Sequence, residues 1–132
     1  FNPDIFKLGT FVDGDLMSMA IWSRNLECFP WLSRDFFAAR YPELYASKGI
    51  TYVVGLLTKP EAERRGYGSA SAKQTTEEIL AHGGLMVVDV CDANADLPRV
   101  AAEHYFGKYA NVEQIPLGTQ SYWGLQFTPL AA

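Results

Sequence analysis

Hydrophobic and polar positions alternate on either side of Asp13-Gly14, with Gly9 and Phe11 before it and Met17, Met19 and Ile21 after it. A period of two marks a half-buried strand, and Asp-Gly tolerates the positive φ angles of a type I′ turn. Residues 8–24 therefore predict an antiparallel hairpin. Residues 25–49 have a different texture: Phe29, Trp31, Phe36, Phe37, Tyr41 and Tyr45, interrupted by Pro30 and Pro42. Ser33 suits the N-cap of a short helix reaching Arg40, which Pro42 then ends. This insert reads either as cover for one sheet face or as the wall of a substrate pocket. Residues 50–57 form a β-branched and apolar run, hence a strand, and it stops at Lys59-Pro60.

Gly66-Tyr67-Gly68-Ser69-Ala70-Ser71-Ala72 opens a helix expected to reach His82, with Gly83-Gly84 as its C-cap. Residues 85–90 are apolar except for Asp89, as expected of a strand buried on both faces. Strand, helix and strand at this spacing suit a βαβ unit, with antiparallel neighbours the other possibility. Asp96-Leu97-Pro98 predicts another helix start, placing Leu97, Val100, Ala101, His104 and Tyr105 on one face. Gly118 precedes a last alternating stretch, residues 122–127, that reads as a terminal strand. The expected class is α/β with a mixed sheet, in one domain over residues 1–132.

Composition narrows the function. The chain has 132 residues, 48% hydrophobic and 20% charged, enough for one globular core without disulfide or metal support. No apolar run approaches the roughly 18 residues of a membrane span. A net charge of −4 argues against nucleic acid as partner. Cys28 and Cys91 lie far apart, which suits reduced thiols and a cytoplasmic setting, and with His82 and His104 they form no metal-ligand spacing. The chain opens at Phe1 with no visible signal peptide, and the expectation is that something upstream was removed, trimmed or never included.

Chemistry concentrates between Lys59 and Ala72. A strand feeds a loop carrying Arg64 and Arg65, then Gly66 and Gly68, then a helix of small residues. Free amides at a helix start, reinforced by the helix dipole, attract anions, and glycine lets backbone approach a phosphate closely. The Walker pattern fails because no Lys-Ser/Thr follows Gly68, and the dinucleotide fingerprint fails because Ser71 replaces its third glycine.

Leu56-Leu57-Thr58-Lys59-Pro60-Glu61, followed by Arg64-Arg65-Gly66-Tyr67-Gly68-Ser69-Ala70, resembles motif A of the GNAT family of N-acetyltransferases. The order of elements from about Leu8 to Phe127 is similar as well, with Asn94 and Tyr105 placed like the Asn and Tyr of motif B. The resemblance implies a mostly antiparallel mixed sheet, flanked by helices, in which two parallel central strands splay into a V that holds acetyl-coenzyme A. It implies that the amides of Arg64, Arg65, Gly66, Tyr67, Gly68 and Ser69 cradle the pyrophosphate. The backbone of Leu56, Leu57 and Thr58 would pair with the pantetheine arm, and Asn94 would meet that arm. An N–H near Leu57 would stabilise the thioester oxygen, and Tyr105 would protonate the departing thiolate. Glu63 stands where the family has Gln or Arg, only residues 1–7 precede the hairpin, and residues 50–57 carry no carboxylate to act as base.

Tyr105 is thus either a core tyrosine or the acid. His104 reads as a packed or surface residue, Glu61 and Glu63 as solvated charges, and Asp89 as a paired buried carboxylate or a pocket residue. Glu27 and Asp35 are weak candidates for holding an amine, and Trp22, Trp31 and Trp123 are expected in the core. The leading function is acetyl transfer from acetyl-CoA to a small-molecule or peptide primary amine, with no metal. The alternative is a non-catalytic acyl-CoA-binding or interaction module of the same fold. The aromatic insert favours an apolar or aromatic acceptor. A short N-terminus would leave sheet edge or face uncovered and favour a homodimer.

Overall fold

The structure is a computed structural model that describes residues 2–63 and 65–118, with Ser69 described in its backbone only. The predicted hairpin is present as β1 (Ile5–Val12) and β2 (Asp15–Ser23), joined by Asp13 at φ 52° and Gly14 at φ 88°. These are the two positive angles that a type I′ turn demands. Along β2, however, the buried residues are Ser18, Ala20 and Trp22, together with Ser23 at its end. Met17, Met19 and Ile21 face the other way and are half-buried. The sequence pattern correctly indicated alternation without saying which face is deeper.

The insert forms α1 (Arg34–Arg40) and α2 (Pro42–Ala46). Ser33 caps α1 by accepting from the Phe36 N–H at 3.4 Å, and Pro42 opens α2 immediately after the first helix stops. Strand β3 (Ile50–Thr58) pairs antiparallel with β2 and leads through residues 59–66 to α3 (Tyr67–Ala70) and α4 (Ala72–Ala81). The expected single helix is interrupted at Ser71, whose hydroxyl donates to the Gly68 carbonyl at 3.1 Å. Such local bonding competes with the helical ladder. The Gly84 N–H reaches back to the Ile79 carbonyl at 2.8 Å, closing α4 as the Gly83-Gly84 pair predicts.

Strand β4 (Leu85–Val88) runs parallel to β3, giving a mixed sheet of order β1-β2-β3-β4. It is shorter than expected and only Val87 is buried, while Asp89 lies beyond the strand and is exposed. After it, α5 (Leu97–Val100) begins with Pro98 in its first turn. Asp96 makes no capping bond and stands 3.9 Å from Arg99 instead.

The chain then widens into a π-helical stretch over Ala101–Tyr105. Phe106 donates back to Ala101, so residues five apart line up, and the buried face is Ala101, Ala102 and Phe106. The α-helical spacing expected for Leu97, His104 and Tyr105 is thereby lost, and all three are exposed. The terminal strand expected over residues 122–127 lies outside the described residues, as does Trp123.

The core lies on both faces of the sheet. On one face Ile50, Tyr52 and Val87 pack against Leu26, Phe29 and Phe37 of the insert. On the other, Ala20, Trp22 and Val53 form one cluster and Ala72, Ala101 and Phe106 a second, with Met86 packed against both. The insert thus covers a sheet face. No helix among the described residues is long and apolar enough to cross a membrane.

Candidate active site

The site begins where β3 and β4 part. Their parallel register runs from Ile50↔Leu85 to Val53↔Val88 and stops, while β3 continues to Thr58 alongside, among the described residues, β2 alone. At the same point β3 carries an extra residue. Ile21 pairs with Gly55 and Trp22 with Val53, so Val54 has no partner on β2. A bulge of this kind bends its strand and resets the alternation of side chains. Leu57, opposite Met19, consequently shares a face with Tyr52, and Leu56 and Thr58 take the face that carries α3 and α4.

Backbone groups of successive strand residues point to opposite sides. The Lys59 N–H donates to the Met17 carbonyl at 2.8 Å across the β2 side. Counting back by two, Leu57 uses that same side, which leaves the N–H groups of Leu56 and Thr58 directed into the gap. The Leu57 amide therefore faces β2, and among the described residues it is the Leu56 N–H that points away from the sheet on the other side. Leu57 keeps an exposed side chain beside the opening.

Helix α3 closes one side of the gap. It is tied to β2 by the Ser18 hydroxyl, which donates to the Tyr67 carbonyl at 3.1 Å. Gly66 has φ 82° and open space where a side chain would stand. Among the described residues, a Cβ on Gly68 would meet only the Thr58 hydroxyl oxygen at 3.8 Å and the Tyr105 ring at 3.9 Å. Three residues singled out in sequence, from β3, α3 and the π-helical turn, thus converge. The first amides of a helix lack internal acceptors, so the N–H groups of Tyr67 and Gly68 remain available to an anion. Among the described residues, space above Gly66, amides at the start of α3 and an unpaired strand edge together fit a phosphate-bearing ligand with an extended arm.

Tyr105 is 36% exposed, and its hydroxyl has no hydrogen-bond partner among the described residues. It is therefore not a core tyrosine. Arg65 is exposed in the loop before Gly66, and Arg64 lies outside the described residues. Asn94 is exposed beyond β4 and donates to the Cys91 sulfur at 3.6 Å. Ser69 falls in α3. Glu63, Glu27, Asp35 and His104 are exposed, and no group of metal-ligating side chains occurs among the described residues.

Neither a family model nor a curated protein sequence matches the chain. Among solved structures, the chain is similar to an aminoglycoside acetyltransferase from an uncultured soil metagenomic sample, crystallised in complex with sisomicin. The two share 11% identity and a TM-score of 0.56, over 95% of this chain and 68% of that one. The fold is GNAT-like. At this identity the likeness concerns the fold alone.

Sequence reading missed two features. The bulge at Val54 leaves no signature in an apolar run, although Gly55 beside it hints at irregular backbone. Trp31, expected in the core, is 55% exposed.

Proposed function

We propose that the chain is an acetyl-CoA-dependent N-acetyltransferase acting on a primary amine. The observation that carries the reading is the meeting of Gly68, Thr58 and Tyr105 at the gap between β3 and β4. A GNAT-like fold supports it, and so does the acetyltransferase named for the similar structure.

In this reading the amides of Gly66, Tyr67 and Gly68 hold the pyrophosphate, with Arg65 and Arg64 supplying charge. The arm lies along Leu56 and Thr58 as an added strand. A neutral amine places its lone pair on the thioester carbonyl carbon while the carbonyl oxygen draws on the Leu56 N–H. The carbon–sulfur bond breaks, Tyr105 gives its proton to the departing thiolate, and the amine nitrogen loses its proton to water. Holding amine and thioester in line supplies most of the rate. The free thiols of Cys28 and Cys91 support a reducing, cytoplasmic setting.

Calorimetry with coenzyme A, followed by thiol release across a panel of amines, tests the proposal. Saturable binding with thiol release above background from one amine is the expected result. Binding without release from any amine would make the chain an acyl-CoA-binding module, and no binding would remove the phosphate site altogether.

A further inference from the structure

Trp31 is an exposed indole held in one place. Its Nε1 donates to the Tyr52 hydroxyl at 3.1 Å, and its ring lies 5.4 Å from that of Phe29 at 53°. Phe29 itself meets Tyr52 edge-on at 4.7 Å. The backbone is fixed as well, since Pro30 precedes it and the Leu32 N–H closes a turn onto the Phe29 carbonyl at 3.0 Å. Anchoring both the ring nitrogen and the turn removes much of the entropy a free tryptophan would lose on binding a ligand. Yet 55% of the residue remains open to solvent.

Its position matters more than its exposure. Tyr52 is one residue before Val53, the last residue of β3 paired with β4, so through the Tyr52 hydroxyl Trp31 is anchored to the stretch of β3 that leads into the gap. It stands on the insert face. The opposite face carries α3, α4 and the π-helical turn with Tyr105, so a second substrate reaches the gap from the insert side. On that side β2 and β3 offer Met19, Ile21 and Leu57, with no charged residue among them.

From this we infer that Trp31 is the specificity-determining residue for the acceptor, and that the acceptor amine carries a flat apolar or aromatic body which stacks on the indole. The inference rests on the acetyl-transfer reading for the identity of the reacting group. Stacking on an anchored ring selects for a flat body, whereas a bare alkylamine gains little there.

The probes are 2-phenylethylamine and n-butylamine, two primary amines that differ in the body they carry. Trp31→Phe identifies the Trp31 indole N–H resonance by its disappearance. That resonance should shift saturably with 2-phenylethylamine and stay in place with n-butylamine. In thiol release, Trp31→Ala should lower kcat/KM for 2-phenylethylamine at least tenfold, through KM, with coenzyme A affinity unchanged. Trp31→Phe should stay within about threefold of wild type, because it keeps a ring beside Phe29. An unmoved resonance, or a Trp31→Ala protein as active as wild type on both amines, overturns the inference. The first readout needs no cofactor. A shifting resonance in a protein that binds no coenzyme A sustains the aromatic site and rejects acetyl transfer, and normal turnover of n-butylamine with an unmoved resonance does the reverse.

Discussion

At the residue scale, the roles proposed for Gly68 and Tyr105 can be tested separately, one as binding and the other as chemistry. A valine at Gly68 would place its Cβ at ordinary contact distance from Thr58 and Tyr105, so the fold should survive at a propensity cost of about 0.5–1 kcal/mol. Its methyls, however, would stand where the phosphate must approach the amides. Gly68→Val is therefore expected to abolish coenzyme A binding in calorimetry while leaving the circular dichroism spectrum unchanged; normal binding would mean the phosphate lies elsewhere. Tyr105→Phe keeps the ring and removes only a hydroxyl that no described residue satisfies, so stability should change little. As the acid, that hydroxyl should be worth about 10²–10⁴-fold in turnover, with coenzyme A affinity almost unchanged. Equal turnover by the variant would leave the enzyme reading intact and move the acid to another group. The sequence offered Tyr105 as acid or core residue. The π-helical turn decided against the core by rotating Ala101, Ala102 and Phe106 inward.

Elements add a second test, because the fold joins the insert to the βαβ unit through two glycines. Gly83 has φ 119°, and a Cβ there would stand 2.8 Å from the Gly49 carbonyl oxygen. Gly49 is equally confined, since a Cβ there would stand 2.8 Å from the His82 carbonyl oxygen. Backbone that meets backbone cannot step aside. Gly83→Ala should combine left-handed strain with overpacking, costing at least about 2 kcal/mol. At about 4 °C per kcal/mol, the melting temperature should fall by roughly 8 °C. An unchanged melting curve would show that the α4–β4 turn relaxes away from the insert. Gly83-Gly84 was legible in sequence as a helix stop, since glycine after a helical run has a local meaning. The second reason for the glycine, contact with a residue 34 positions earlier, was not.

For the whole molecule, the open strand edge and the glycine-lined helix start predict linkage between ligand and stability. Coenzyme A or acetyl-CoA at about 100-fold above Kd should stabilise by about 2.7 kcal/mol, roughly 10 °C in a melt, with NAD and ATP far weaker. Equal shifts with ATP would reduce the site to a general phosphate binder. The sequence alone determined the elements: an Asp-Gly turn between alternating runs, a Ser33 cap, an apolar run before Pro60, and glycines before a helix of small residues. Each is a local preference of a few neighbouring residues for certain φ and ψ angles, and so each survives without tertiary context. The meeting of Gly68, Thr58 and Tyr105 was readable only through the resemblance. Tertiary structure decided what local preference leaves open: which face of β2 is buried, that Val54 bulges, that Leu57 gives its amide to β2, and that Trp31 stays in solvent. Those outcomes depend on which strand or helix lies opposite, and burial and hydrogen bonding are settled only when that neighbour is in place.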